Sequence, residues 1–352
     1  MSNDVVIVLG AGATRGGKFA DDSGSPRGCL PPLDGDFFTQ LQRVPDLKHR
    51  SAIMDVMEDV VTLFGTNFDV TLENVFATVE HTLRMLRTTG AERAYRKQDL
   101  ETMRDRLLAA IAIALEASLA ERAEDGHARQ SFRECQYHDK LVKDLLRNED
   151  AIISFNYDCV IDDSLRRLGD NKWNARYGYG FNLGPRGVNL RGEVFWQPEF
   201  PAKQDLTIHL HKLHGSLHFQ FGSQGKKVNL KKRPYTKQLG TPRYTIIPPE
   251  SNKAYDKGIF ATLWKNAAQA LGRAKHLIII GYSLPATDLH STALFRTSIK
   301  SGQLKSLVIA NPDQFARART RSVLQSALGE KTRILSCDSF EEFLQIDRSV
   351  WR

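Results

Sequence analysis

The fold class follows from one stretch near the start of the chain, Val5-Val6-Ile7-Val8-Leu9-Gly10-Ala11-Gly12-Ala13-Thr14. Five consecutive apolar residues are typical of a strand buried on both faces, as in a parallel sheet. Two glycines spaced G-x-G follow this strand directly. Because Gly10 and Gly12 lack a Cβ, they can adopt positive φ and let a ligand approach the backbone, although a tight turn without a ligand explains them as well. We predict a buried strand followed by a turn that suits a nucleotide phosphate.

Two common nucleotide-binding patterns fit this turn poorly. Residues Gly12 to Lys18 have the spacing of a phosphate-binding P-loop, but Phe19 stands where a magnesium-binding hydroxyl is needed. A hydride-transfer Rossmann domain needs a third glycine where this chain has Arg15. It also needs an acidic strand end about 20 residues further on, and the sequence shows none. Both patterns are therefore disfavoured.

The rest of the chain alternates between helical and strand-like segments. Arg15 to Pro32 is rich in Gly, Pro, Ser and Asp, which predicts a loop, either a lid over the site or a plain surface loop. Apolar residues recur at helical spacing through residues 36–148, ending with Leu141, Leu145 and Leu146. Strands and helices alternate after that, with a strand expected from Leu206 to Phe219.

This order of segments predicts an α/β fold with a doubly wound, mainly parallel Rossmann-like sheet. Residues 1–35 and 149–352 would form the nucleotide-binding domain, with an irregular excursion at about residues 170–242. Residues 36–148 would form a large helical insertion after the first strand. A helical block of this size offers an interface for a homo-oligomer.

Composition points to a protein of the reducing cytosol. The chain has 352 residues, 41% hydrophobic and 26% charged, which are ordinary globular values. Its four cysteines lie far apart without a C-x-x-C pair, which argues against a disulfide framework and a zinc ribbon. There is no signal-peptide pattern and no apolar run of membrane-spanning length. We expect a soluble, cytoplasmic protein.

A modest positive charge leaves a nucleic-acid alternative open. The formal net charge is +8, and a basic run extends from Lys226 to Arg233. Such a run is usually a solvated loop, and its functional interpretation is contact with nucleic acid or an acidic partner. The nearby aromatic residues Phe221 and Tyr235 are too loosely spaced to form a base-stacking platform.

Small or amide residues follow four of the predicted strands: Gly10 to Thr14, Asn156 and Asp158, Gly281 and Ser283, and Asn311. The carboxyl ends of parallel strands meet at one edge of a sheet, where ligands bind in doubly wound folds. Two of these residues have simpler interpretations. Asn156 suits the N-cap of a helix beginning at Tyr157, and Asp158 would favour the first turn of that helix.

Three histidines, His209, His211 and His214, lie in the predicted strand from Leu206 to Phe219. They do not predict a metal site, because no cluster of carboxylates or cysteines accompanies them. His209 and His211 would share one strand face and pack there, while His214 would lie on the other. Gly215 follows His214 and would let a ligand approach, so His214 is a candidate general base or a core histidine.

Five motifs thread the chain in order: Gly10-Ala11-Gly12-Ala13-Thr14, Phe155-Asn156-Tyr157-Asp158, Leu213-His214-Gly215-Ser216, Gly281-Tyr282-Ser283-Leu284 and Ile309-Ala310-Asn311. As an ordered set they resemble the sirtuin-like NAD-binding domain, most closely that of the sirtuin-like NADases of prokaryotic anti-phage defence. The chain lacks the two C-x-x-C pairs that hold zinc in sirtuin deacylases, and the segment after the glycine turn differs from theirs. The resemblance therefore implies NAD+ hydrolysis rather than protein deacylation.

The resemblance implies a role for each matching position. The positions implied to bind NAD+ are Gly10, Ala11, Gly12 and Thr14 for the pyrophosphate, Gly281 and Ser283 for the phosphate or ribose opposite, and Asn311 for the adenosine ribose. The positions implied to act in catalysis are Asn156 and Asp158, near the nicotinamide ribose, and His214, as the general base. NAD+ would be the substrate, and the chemistry requires no metal.

Family resemblance further implies an effector that depletes NAD+ in an abortive response to infection and is held in check by a partner. A HerA-type hexameric ATPase is the favoured partner, ahead of a short Argonaute. Two other functions remain open from the sequence. One is a non-catalytic module that binds NAD+ or ADP-ribose within an assembly, and the other is nucleic-acid binding through residues 226–233.

Overall fold

A computed structural model of the chain describes residues 4–19, 28–91, 94–122, 128–184, 194–221, 227–232, 245–246 and 258–350. The strands are β1 (Val5–Leu9), β2 (Ala120–Arg122), β3 (Ala128–Phe132), β4 (Ala151–Ser154), β5 (His209–Lys212), β6 (Gly215–Ser216), β7 (Phe219–Phe221), β8 (Val228–Leu230), β9 (Thr245–Ile246), β10 (His276–Ile280), β11 (Leu304–Ala310) and β12 (Leu328–Cys337). The α-helices are α1 (Ala11–Arg15), α2 (Phe37–Gln42), α3 (Arg50–Phe64), α4 (Leu72–Thr89), α5 (Lys97–Leu119), α6 (Gln136–Lys140), α7 (Val160–Leu168), α8 (Ala175–Gly178), α9 (Gly258–Arg273), α10 (Leu289–Ser298), α11 (Gln314–Val323) and α12 (Phe340–Gln345).

Six parallel strands form the central sheet in the order β12-β11-β10-β1-β4-β5. Strand β1 lies in the interior, where Val6 pairs with Leu277 on one side and Ala151 on the other. All five residues of β1 are buried, because both faces of a parallel sheet are covered. The α/β class, the parallel sheet and the large helical insertion after β1, formed by α2 to α5, are thus confirmed.

By compactness, the described residues divide into two units. Those within 1–24, 133–234 and 254–352 form the sheet unit. Those within 25–132 and 235–253 form the helical unit, in which α3 and α4 pack against α5. The predicted apolar stripes account for the helical unit, since Ile53, Val79 and Leu107 all lie in its core.

Three segments differ locally from the sequence-based expectation. The predicted strand from Leu206 to Phe219 is three short strands, β5, β6 and β7, because the chain turns at Gly215, where φ is 80°. The basic run includes β8, which pairs with β7, although Lys226 and Arg233 lie outside the described residues. The last apolar stripe of the expected helical insertion, Leu141 to Leu146, belongs to the sheet unit instead.

The irregular excursion has its own buried core. Trp173, Tyr179 and Trp196 are completely buried, and the Trp173 indole donates to the Trp196 carbonyl over 2.8 Å. Aromatic residues without helical or strand periodicity therefore mark packing here rather than a surface loop. Within the described part of the chain, no helix is long and apolar enough to span a bilayer.

Candidate functional site

Strand β1 is the point at which the order of the strands in the parallel sheet reverses. From β1 the chain passes to β4 and then β5 on one side, and later to β10, β11 and β12 on the other. In open α/β sheets, ligands bind at such a reversal, beyond the carboxyl ends of the strands. The turns that follow β1, β4, β5, β10 and β11 carry the residues singled out in the sequence, and they share this edge.

The glycines after β1 are required by close packing against the turn after β10. A Cβ on Gly12 would lie 2.7 Å from the Gly281 carbonyl oxygen, and one on Gly281 would lie 2.0 Å from the Ala13 nitrogen. The amide of Gly10 donates to the Ile280 carbonyl over 3.0 Å, and that of Gly12 donates to Gly281 over 2.9 Å. These two N–H groups therefore already have acceptors within the protein. A pyrophosphate role for Gly10 and Gly12 stays a prediction that cannot rest on those N–H groups.

Asn156 joins the end of β4 to the glycine turn. Its side-chain amide donates to the Gly10 carbonyl over 3.0 Å and lies 3.3 Å from the Thr14 hydroxyl. Asn156 is only 7% exposed, and its Oδ1 has no hydrogen-bond partner among the described residues. A buried acceptor without a partner costs free energy, which makes this oxygen a candidate ligand contact.

Helix capping does not account for Asn156. Helix α7 begins at Val160, beyond the expected start at Tyr157, and Cys159 is its N-cap residue. The local cap-like contact is made by Asp158 instead, whose Oδ1 accepts from the Val160 amide over 3.0 Å. The N-cap interpretation of Asn156 is therefore wrong, while Asp158 does stabilise the start of α7.

Asp158 also ties this turn to α1. Its Oδ2 accepts from the Thr14 hydroxyl over 2.8 Å. Burial raises the pKa of Asp158, and the nearby Lys212 ammonium opposes that rise. Both carboxylate oxygens thus have donors within the protein, so the contacts favour a structural role for Asp158 in holding the Asn156 turn.

Lys212 and Asp162 form an ion pair beneath the site. Lys212 is completely buried, and its ammonium donates to Asp162 Oδ2 over 2.8 Å and to the Asp158 carbonyl. Burial alone would lower the pKa of Lys212, but the Asp162 carboxylate together with Cys159 and Asp158 outweighs burial and raises it. Burial likewise opposes ionisation of Asp162, and Lys212 holds the pKa of Asp162 below its ordinary value. The Lys212 ammonium thus holds the turn that bears Asn156 through the Asp158 carbonyl.

Sequence reasoning missed this ion pair. Lys212 is the last residue of β5, and Asp162 lies in the first turn of α7, on a separate segment. The available signal was a lysine within an otherwise strand-like, buried stretch two residues before His214. A buried lysine requires a carboxylate partner, but nothing in the local sequence identifies which one.

Three side chains of metal-binding type, Cys159, Asp162 and His218, come within 4.8 Å of one another. The two ring nitrogens of His218 point to different partners. Its Nδ1 lies 3.1 Å from Cys159 Sγ, and its Nε2 lies 3.1 Å from the Tyr179 hydroxyl. Burial raises the pKa of the Cys159 thiol well above its ordinary value, and the Lys212 ammonium already pairs with Asp162. The three side chains belong to a hydrogen-bonded network in the core of the sheet unit.

His214 lies in the turn after β5 and is 7% exposed. Its ring contacts Phe155 edge-on, at 5.2 Å between centroids, and Phe155 stacks on Tyr282 at 4.1 Å. His214 Nε2 lies 3.7 Å from Asp288 Oδ2. The imidazole therefore lies among the turns after β4, β5 and β10, as a residue acting at this edge must.

The adenosine side of the expected site is built from turns after β10 and β11. Asn311 Oδ1 accepts from the Asp313 amide over 3.0 Å, and Asn311 Nδ2 lies 3.5 Å from the Tyr282 carbonyl. Ser283 is exposed, and its carbonyl accepts from Arg319 over 3.2 Å. Asn311 is thus a turn residue that links the two strand ends, and Ser283 is accessible at the edge.

The other predictions divide between described and undescribed residues. His209 and His211 do share one face of β5, with parallel rings 6.0 Å apart. The middle of the expected lid, residues 20–27, lies outside the described residues, whereas 15–19 and 28–32 are described. Phe19, in the first part of the expected lid, forms an isolated antiparallel β-bridge with Cys135 of the sheet unit.

The sequence was compared with protein-family models and with curated proteins, and neither comparison gave a match.

Proposed function

We propose that the chain hydrolyses NAD+ to nicotinamide and ADP-ribose at the carboxyl edge of its sheet. The observation that carries this proposal is the buried Oδ1 of Asn156, which has no hydrogen-bond partner in the part of the chain that the structure describes. Its side chain is fixed beside Gly10 and Thr14, where the order of the strands reverses. An amide oxygen in that position can accept from a ribose hydroxyl or from a water without adding charge. The ordered motifs that resemble sirtuin-like NADases support the same substrate.

The reaction breaks the bond between ribose C1′ and the pyridinium nitrogen. The electron pair of that bond stays on the nitrogen, so nicotinamide leaves as a neutral molecule and C1′ becomes oxocarbenium-like. A water oxygen then bonds to C1′ and gives up one proton. In this scheme Asn156 orients the ribose or the water, and His214 receives the proton as general base.

Burial suits His214 to this role. A neutral imidazole can accept a proton near neutral pH, and its aromatic neighbours Phe155 and Tyr157 limit the water around it. Asp158 would act indirectly, through Thr14 and the start of α7. The binding roles of Ala11, Ser283 and Asn311 rest on the resemblance together with their common edge.

We further propose that this activity serves as a regulated effector of anti-phage defence. A toxic NADase must be held in check, and a partner protein of the HerA-type ATPase class, or less favourably a short Argonaute, would supply that control. The helical unit offers surface for self-assembly. This part of the proposal rests on the family resemblance.

The test is nicotinamide release from NAD+ by the full chain, alone and with its partner. We expect Asn156→Ala and His214→Ala to abolish release. His209→Ala is the matched control, because it removes an imidazole from the amino end of β5, the strand that leads to His214, away from the carboxyl edge. Release unchanged in either active-site variant would refute the residue assignment. Stoichiometric NAD+ binding without turnover under every partner condition would favour the non-catalytic module.

A further inference from the structure

We infer that Asp288 is a positioning residue for His214, holding the imidazole and stabilising its protonated form; this inference rests on the proposed function. Asp288 Oδ2 lies 3.7 Å from His214 Nε2, at the distance of an ion pair. Asp288 is 4% exposed and His214 7% exposed, so solvent screens their interaction little. A base whose ring is oriented by a third group is the usual arrangement of activated catalytic groups.

The Asp288 carboxylate is itself held in place. Its Oδ2 accepts from the Ser291 hydroxyl over 2.6 Å and from the Tyr282 hydroxyl over 2.9 Å. Tyr282 in turn stacks on Phe155, the ring that contacts His214. The carboxylate, the imidazole and the turn after β4 therefore form one connected set of contacts. A carboxylate fixed this way loses little freedom when the imidazole becomes charged.

The proximity assigns different tasks to the two ring nitrogens. A carboxylate next to Nε2 favours the tautomer with the hydrogen on Nε2, which leaves the lone pair on Nδ1 as the basic nitrogen. When Nδ1 takes the proton from water, the imidazolium gains the opposite charge of Asp288. Ionisable groups of the described residues that lie near this pair include Tyr157, whose ring centre lies 6.3 Å from that of His214, and Tyr282, whose hydroxyl donates to the carboxylate.

Helix capping is the competing explanation for Asp288. Its Oδ1 accepts from the Ser291 amide over 3.2 Å, as the N-cap residue of α10 does. Asp288→Asn separates the two roles, because asparagine is an equally good N-cap but carries no charge. Asp313→Asn is the matched control, since Asp313 caps α11 through the Phe315 amide and forms no ion pair with a histidine among the described residues.

The experiment follows the protonation of His214 by histidine NMR in the full chain without substrate. His214→Gln identifies its resonance among the ten histidines. We expect Asp288→Asn to lower the pH midpoint of this titration by about one unit, because the imidazolium loses its counter-charge. Asp288→Glu should keep the midpoint close to that of the wild type, and Asp313→Asn should not move it. Thermal melting of each variant reports whether the fold is retained.

Kinetics supply the second readout. We expect Asp288→Asn to lower kcat for NAD+ by about tenfold or more with little change in KM, because the carboxylate acts on the base and not on the substrate. A midpoint unchanged in Asp288→Asn, or shifted equally in Asp313→Asn, overturns the inference. If the midpoint shifts in Asp288→Asn but the wild-type protein never releases nicotinamide, the pairing is upheld and the proposed hydrolase is refuted. The two failures are thereby distinguishable.

Discussion

A single residue can affect the stability of the fold strongly where its charge is completely buried, and Lys212 is the clearest example. Its ammonium pairs with Asp162 and donates to the carbonyl of Asp158. The Tyr179 hydroxyl satisfies the second oxygen of Asp162 over 2.8 Å. Every charge in this group therefore has a partner, and removal of one member leaves another buried and uncompensated. Lys212 thus links the stability of the sheet unit to the position of the Asn156 turn.

We predict that Lys212→Met lowers the free energy of unfolding by about 3–5 kcal/mol, because Asp162 keeps its charge without a counter-ion. The double variant Lys212→Met/Asp162→Asn should recover part of the loss. Lys275→Met is the control, since Lys275 pairs with Asp4 but is 45% exposed, and such pairs contribute about 0–1 kcal/mol. Urea unfolding at pH 7 measures all three variants. Equal losses for Lys212→Met and Lys275→Met would contradict the prediction.

At the scale of elements, the contact between the turns after β1 and β10 fixes the geometry of the edge. Gly281 has φ of 61°, a conformation that L side chains rarely adopt, and its carbonyl accepts from the Gly12 amide. Its own amide donates to the Ala310 carbonyl over 2.8 Å. Strands β1, β10 and β11 are thus joined through one glycine.

Gly281→Ala should therefore lower the free energy of unfolding much more than Gly302→Ala. Gly302 has φ of 65°, but no neighbouring atom lies within 4 Å of the Cβ that alanine would add. For Gly302→Ala we expect a loss of about 1–2 kcal/mol in the free energy of unfolding, from the left-handed conformation alone. At Gly281, overpacking adds about 1–3 kcal/mol. Urea unfolding of the two variants checks this difference, and similar losses would show that the glycine contact is not tight.

The sequence identified the elements whose cause is local. Runs such as Val5–Leu9 and His276–Ile280 are buried strands because their own residues are apolar, and the polar turns follow at the same edge. The buried ion pair of Lys212 was not predictable, because its partner Asp162 lies on another element. The same limit applies to Asp288, whose role as a helix cap is visible in sequence but whose approach to His214 is not.

For the whole molecule, buried neutral histidines set the response to acid. Burial lowers the pKa of His138, His211 and His218 to about 3 each, against an ordinary value of 6.5. The unfolded chain therefore binds protons on these residues at a higher pH than the folded chain does. Their contribution to stability is complete above about pH 6.5 and is lost as the pH falls from there toward 3.

We predict that the free energy of unfolding decreases between pH 7 and pH 5, with each histidine contributing up to about 1.4 kcal/mol per pH unit. His211→Leu should reduce this slope by one histidine's share, because it removes one of the three titrating groups. The substitution breaks no hydrogen bond at His211 Nδ1, which has no partner among the described residues. Urea unfolding at several pH values gives the slopes. A slope in His211→Leu equal to that of the wild type would contradict the assignment.

The central claim is that the edge near Asn156 and His214 cleaves NAD+ with water. The most direct measurement is mass spectrometry of the products formed from NAD+ in ¹⁸O-labelled water by the full chain, alone and with its partner. We predict equal amounts of nicotinamide and ADP-ribose, with one ¹⁸O atom on ribose C1′, and neither product with Asn156→Ala. Intact NAD+ under every condition, or ADP-ribose that lacks ¹⁸O when the reaction is stopped, would contradict the claim.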